Sequence, residues 1–341
     1  MVKWFRRDFI SILTLASAGT FFTPMISKAI NSDDLEAKIF PLFTNLPGKS
    51  TMKIKAVSQG NSMDVSLNSD IPLFCGSSFK VFVLTVFLRQ MEEGKVNFDE
   101  ELVINDDVRV LSSPVFGGVS GKTTALIALE AMMMHSDNTA TDLIMAYVTP
   151  QAVREFIAEI GLTNTLIPDS ISVMFSYLLG AKNGEDWGWE KINQEMNSPN
   201  LPARSIINQE QSSITEGAAT PIASSTDFVN FYSRALQGEF FKQEETLTEF
   251  KRILRLPAIL DKFIPSGAIG YVKGGSIDLQ PQYALCLAGG VNFSADTWAY
   301  YSFMINWEDS TGKETANISG NFLNSVKASL KIIENAIYNG R

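Results

Sequence analysis

Ser77 and Lys80 stand three residues apart in the stretch Cys75-Gly76-Ser77-Ser78-Phe79-Lys80. On a helix, positions three apart share a face, so this hydroxyl and this amine can meet. If burial or a second cation lowers its pKa, the amine can take the hydroxyl proton and turn the serine into a nucleophile. Cys75-Gly76 just ahead suggests that Ser77 opens the helix, where the positive end of the dipole favours an oxyanion. A serine three residues before a lysine also arises by chance in a chain of 341 residues, so the pair is weak by itself.

Two later clusters strengthen it. In Ser136-Asp137-Asn138, Ser136 can relay a proton to a leaving nitrogen and Asn138 can hydrogen-bond Lys80 and a substrate amide. The plainer reading of this cluster is a helix cap. Lys273-Gly274-Gly275-Ser276 follows an expected strand over 267–272. Its glycines let a substrate backbone approach the strand edge, and Lys273 supplies positive charge near Lys80 and Ser136 and an anchor for a substrate carboxylate. The plainer reading here is a turn between strands.

Other chemistries have little to work with. His135 is the sole histidine. It would have to serve alone in a Ser-His-Asp triad, and a catalytic zinc site usually needs two or three. Its position next to Ser136 points to a local structural role. The two cysteines, Cys75 and Cys286, have no CxxC spacing and read as buried small hydrophobes, although one pair could bridge in an exported protein. A zinc site is not expected.

The elements that must position these residues follow from periodicity. A helix is expected over 33–43, then alternating strands over 52–57 and 63–67 with Gly60-Asn61 in the turn. From Ser77 to Glu93, Phe79, Val83, Leu84, Phe87 and Met91 fall on one side of a helix. Residues 100–225 continue mostly helical, with a long irregular stretch from Pro168 to Thr220. Strands return over 267–272, 282–288 and 297–305, and a helix over 316–336 closes the chain. Parallel βαβ winding does not produce this order. An α+β fold does, with an antiparallel sheet made from both chain ends, terminal helices against it and an all-α domain inserted between. We expect residues 30–75 and 225–341 to form the sheet domain, residues 76–224 the helical domain with an enlarged loop, and the active site to lie between them.

A net charge of −9 argues against nucleic acid or an anionic membrane surface as a partner. A small-molecule substrate and a monomeric chain are expected instead. Residues 1–29 have the layout of an export signal: Arg6-Arg7 with Phe9, an uncharged stretch to Ser27, then Ser27-Lys28-Ala29 with small residues at the inspected positions. The double arginine resembles a twin-arginine signal. This predicts a periplasmic or secreted protein without lasting membrane association. A retained anchor is the other reading of the same stretch.

All three clusters, in this order and on these elements, resemble the class A β-lactamases and their relatives among the penicillin-recognising serine enzymes. Ser113-Pro114-Val115, His135 to Ala140 and Thr220-Pro221 extend the resemblance, which covers roughly residues 33–338. It implies a β-lactamase/transpeptidase-like fold and a reaction that needs no metal or organic cofactor. It also implies β-lactam hydrolysis through an acyl-serine at Ser77, and so a part in the response to β-lactam antibiotics. Backbone N–H groups of Ser77 and Ser276 would form the oxyanion hole, with Asn138, Gly275 and Ser276 binding substrate and Lys80, Ser136 and Lys273 handling protons and charge. A penicillin-binding peptidase or an esterase of the same fold is the alternative, and a binding module that kept only the fold is a third.

Three departures bear on the substrate. The family's loop pattern Glu-x-x-Leu-Asn, whose glutamate activates the deacylating water, is missing. At that distance the chain reads Ile167-Pro168-Asp169-Ser170-Ile171-Ser172, which makes Asp169 a possible deacylation base. Glu185, Glu190, Glu195, Glu210 and Glu216 follow farther along the loop. No arginine stands between Arg255 and Arg341, the part of the chain from which the family usually draws its guanidinium for the β-lactam carboxylate. Ser112 stands where an aromatic side chain commonly flanks the site.

Overall fold

A computed structural model describes residues 32–198, 204–206 and 216–339. The stretch read as an export signal lies outside the described residues. Helix α1 (Ser32–Thr44) has Asp33 and Asp34 in its first turn and buries Leu35, Ile39 and Phe43, a stripe of four-residue steps. Strands β1 (Lys49–Ser58) and β2 (Asn61–Leu67) form a hairpin. Its two-residue turn is Gln59-Gly60, both at positive φ as a right-twisted hairpin requires, one residue earlier than the turn expected from the sequence. The short β3 (Leu73–Phe74) leads through a 3₁₀ turn, Gly76–Phe79, into α2 (Lys80–Glu92).

The middle of the chain holds β4 (Glu101–Ile104), β5 (Gly121–Thr124), α3 (Ala125–Met134), α4 (Asn138–Val148), α5 (Pro150–Glu159), α6 (Ile171–Leu178) and α7 (Gly188–Met196). After β6 (Ile222–Ala223) come α8 (Ser225–Ala235), α9 (Glu244–Leu254) and α10 (Leu260–Phe263). The chain ends with β7 (Ile269–Leu279), β8 (Gln282–Ser294), β9 (Thr297–Glu308) and α11 (Thr315–Asn339).

Five strands make one antiparallel sheet in the order β2-β1-β9-β8-β7. The pairing of β1 with β9, Ile54 opposite Tyr301, joins the two ends of the chain. One face packs on α1 and α11, where Ile39, Phe43, Phe303, Phe322 and Leu330 share a core. Phe43 and Phe303 stack with ring centres 5.3 Å apart. The other core lies around α2, whose residues from Lys80 to Leu88 are all buried. A helix covered on every side sits in the middle of its neighbours rather than on a surface. No described helix is long and apolar enough to cross a membrane.

Three expectations need correction. The stretch from Pro168 to Thr220 is not irregular throughout, because it contains α6 and α7. The strand expected to end before Lys273 runs on to Leu279, so Lys273-Gly274-Gly275-Ser276 lies inside β7, paired residue by residue with β8. Two glycines in a row suggest a turn, but eleven residues of cross-strand pairing override local propensity. The small sheets β3–β6 and β4–β5 were not foreseen, since two to four residues are too few for alternation to show.

Candidate active site

Ser77 sits in the 3₁₀ turn ahead of α2, one turn before Lys80. At the head of a helical segment its N–H has no preceding turn to bond to, which leaves it free for a ligand. Gly76 is in the left-handed region at φ +51. The edge strand β7 lies directly against this turn. A Cβ on Gly275 would come within 2.7 Å of Ser77 N and one on Gly76 within 2.7 Å of Ser276 N. Only glycine at both places lets the two backbones approach this closely. Ser78, fully buried, fastens the turn to the strand by donating from its Oγ to the Lys273 carbonyl at 3.1 Å.

Lys80 is fully buried, and its Nζ donates to the Ser136 carbonyl and to Asn138 Oδ1, both at 2.7 Å. Ser136 reaches it because its backbone is left-handed at φ +59, an uncommon conformation for a non-glycine residue that turns its carbonyl inward. Ser136 Oγ lies 3.5 Å from Lys80 Nζ and accepts from Lys273 Nζ at 3.0 Å. The same Lys273 amine donates to the Gly274 carbonyl at 2.8 Å. One hydroxyl thus bridges two buried lysines. Burial, and then the Lys273 charge, hold the Lys80 ammonium well below the usual lysine range, against the opposing pull of Asp142 and Asp137. Burial pushes Lys273 down to about 7.

Asp137 and Asn138 hold this arrangement in place. Asp137 caps α4 through Ala140 N and accepts from Val115 N and Phe116 N, which anchors the Ser113-Pro114-Val115 segment. Asn138 donates to the Leu111 carbonyl at 2.8 Å. The cap reading of this cluster therefore holds, and Asn138 meets Lys80 as expected. His135, an exposed residue at the end of α3, lines the mouth of the cleft. Cys75 and Cys286 are buried free thiols.

The cleft in front of Ser77 is about 630 Å³ and is bordered by Ser136, Asn138 and Ser276. Its loop side is apolar, with Ile171, Met174 and Phe175 from α6 and Met196 from α7. Asp169 is not part of this wall. Its carboxylate is paired with Arg154 Nη1 at 2.6 Å. Glu185, Glu190, Glu195 and Glu216 do not line the cleft either, and Glu210 falls outside the described residues. The reason is the sharp turn into α6. Asp142, one turn after Asn138 on α4, accepts from Ile171 N at 2.7 Å and Ser172 N at 2.9 Å. This caps α6 from outside and turns its apolar side toward Ser77. Burial raises the Asp142 carboxyl to about 7. Asp142 had no signal of its own in the sequence beyond its four-residue spacing from Asn138.

The two lysines set an expected pH dependence. Neutral Lys80 is the form that accepts a proton, so acylation rises with pH as Lys80 deprotonates. Lys273 acts through its charge, so acylation falls as pH rises through about 7. Stopped-flow acylation between pH 5 and 10 checks this. Lys273→Arg, which stays charged, should remove the alkaline limb. A limb unchanged in that variant assigns it to another group.

The profile of the beta-lactamase enzyme family matches residues 34–268. Among solved structures, PBP-A matches with a TM-score of 0.63 at 16% identity, over 89% of this chain and 96% of that one. The chromosome-encoded beta-lactamase of Vibrio parahaemolyticus matches with 0.64 at 18% identity, over 88% and 98%. The TLA-3 extended-spectrum beta-lactamase matches with 0.63 at 15% identity, over 88% and 99%. No curated protein matches the chain. The chain belongs to the beta-lactamase enzyme family and has the β-lactamase/transpeptidase-like fold. Family and fold together make it a serine hydrolase of the β-lactamase type.

Proposed function

We propose that this protein acylates Ser77 with amides or esters, β-lactams among them, and releases the acyl group slowly. The observation that carries the reading is the Ser136 hydroxyl held between Lys80 and Lys273, one helical turn from Ser77. Neutral Lys80 takes the Ser77 proton as Oγ attacks the carbonyl carbon. The N–H groups of Ser77 and Ser276 stabilise the oxyanion. As the bond to the departing atom breaks, Ser136 protonates that atom and is resupplied by a lysine ammonium. Water must then cleave the ester on Ser77. Export is part of the proposal, on the strength of the N-terminal signal pattern.

Slow release follows from the loop wall. An acyl-serine ester persists unless a general base holds a water against it. Ile171, Met174, Phe175 and Met196 offer no such base. We expect nitrocefin to give a burst of one equivalent followed by a slower steady state. Fast linear turnover without a burst would mean that an efficient base operates. Asp169→Asn should leave both phases unchanged, because Asp169 is engaged with Arg154, and should cost about 1 kcal/mol in a thermal melt. A trapped adduct in that variant would return Asp169 to the role of base.

The esterase reading, whose leaving group needs no carboxylate, is favoured by the lining residues. Among the described lining residues of the cleft no arginine is present to receive a β-lactam carboxylate, the nearby Lys80 and Lys273 are engaged with Ser136, and Asp278 brings a negative charge. A related solved structure shows a mutant of PBP-A as an acyl-enzyme complex with penicillin G. Covalent labelling by a penicillin without turnover would favour the peptidase reading, and turnover of esters alone the esterase.

A further inference from the structure

A second cavity, about 450 Å³, opens beside the cleft and shares His135, Ser136 and Ser276 with it. It lies on the side of Ser136 and Lys273, where the departing atom collects its proton. Its walls come from the end of α3, the segment ahead of α10, strands β7 and β8, and α11. Met134, Ile259, Leu285, Leu287, Phe322 and Leu323 make them apolar. Gly274 opens the cavity further, because a Cβ there would already touch Leu287 Cδ2 at 3.4 Å. Lys273 is the one charged side chain among the described lining residues. It is 2% exposed, and its amine already serves Ser136 Oγ and the Gly274 carbonyl. A carboxylate placed here would lose its water and gain no guanidinium. An uncharged hydrocarbon group would lose nothing and bury apolar surface.

We propose that the leaving-group half of the substrate is uncharged and apolar, as in an ester or amide of an aliphatic or aromatic alcohol or amine, and that it sits in this cavity. The proposal rests on acylation at Ser77 and names the substrate class of that same site. It also accounts for the missing arginine, since a leaving group without a carboxylate needs none.

A matched pair of esters tests it. Phenyl phenylacetate and 3-carboxyphenyl phenylacetate deliver the same acyl group and differ in the charge on the departing phenol. Acylation is followed by phenol release in a single turnover, with intact mass reporting the adduct on Ser77. The neutral ester is expected to acylate at least tenfold faster, and 4-butylphenyl phenylacetate faster still. In Leu323→Arg, at a half-buried position where the new guanidinium can reach solvent, the preference should shift at least tenfold toward the carboxylate ester. A thermal melt confirms that the variant is folded, and the wild-type pair stands as a test without it. Equal rates, or faster acylation by the carboxylate ester, with a normal Ser77 adduct would overturn the leaving-group proposal and leave the acylation reading intact. No adduct from any of the esters would overturn both, and the mass measurement tells these results apart.

Discussion

Ser77→Ala removes all covalent labelling: after incubation with a penicillin or an aryl ester, the variant keeps its unmodified mass while the wild type gains one acyl group. The expected loss in acylation rate is at least about 10⁴-fold, the scale seen when a serine nucleophile is deleted. Two of the nearby hydroxyls belong to the Lys273 network, and the structure gives each a different task. Ser78 Oγ is fully buried and committed to the Lys273 carbonyl. Ser136 Oγ is bound by Lys273, on the side where the departing atom leaves. Neither combines the free head of a helical segment with the approach of Ser276 N. Ser77 is small and half-buried, so the melting temperature should hardly change. An adduct of normal stoichiometry in the variant would move the nucleophile elsewhere, and peptide mapping would show where.

Lys80→Met is expected to lower acylation by about 10²–10³-fold, or roughly 3–4 kcal/mol of barrier, and to leave the protein folded. Methionine has nearly the length of lysine and can fill the same buried space. Two opposing effects act on stability. The carbonyl of Ser136 and Oδ1 of Asn138 lose their shared donor, which costs about 1–3 kcal/mol each. In return the folded state no longer holds a buried amine beside a second lysine, a relief of several kcal/mol. The melt should therefore shift by only a few degrees while acylation collapses. Stopped-flow acylation and a thermal melt on the same sample separate the two. Wild-type acylation with a normal melt would remove Lys80 from the proton path and leave Lys273 as the candidate base.

Slow release and leaving-group selectivity concern different walls of the same centre. On the proposals above, the loop wall of α6 and α7 governs whether water is activated, and the cavity toward α11 governs what departs. Both walls are apolar, and each is built from residues far from Ser77 in the chain. The residues proposed to acylate lie between them. On this proposal a change of substrate within the fold needs no change in Ser77, Lys80, Ser136 or Lys273, because the apolar side chains of the walls stand on α3, α6, α7, β8, α11 and the segment ahead of α10.

What the sequence by itself determined is the local chemistry and the order of elements. The three-residue spacing of Ser77 and Lys80 puts them on one face whether the turn is α or, as it is, 3₁₀, and the periodic apolar run after them reads as a buried helix. Alternation in β1 and β2 reads directly from side chains pointing to opposite faces. The missing arginine was also plain, since absence from the C-terminal stretch needs no geometry. The tertiary structure decided the rest. Asp169 has the right type and distance along the chain to be a base, but Arg154 of α5 holds it outside the cleft, fifteen residues away in sequence. Asp142 caps α6 across about thirty residues, and so chooses Ile171, Met174 and Phe175 as the wall. Lys273 meets Ser136 across 137 residues, and Leu323 of α11 lines one cavity with Ser136 and Gly274. Periodicity reports on neighbours within a turn or a strand. Which side chain faces the nucleophile is set by packing between elements that no local pattern encodes.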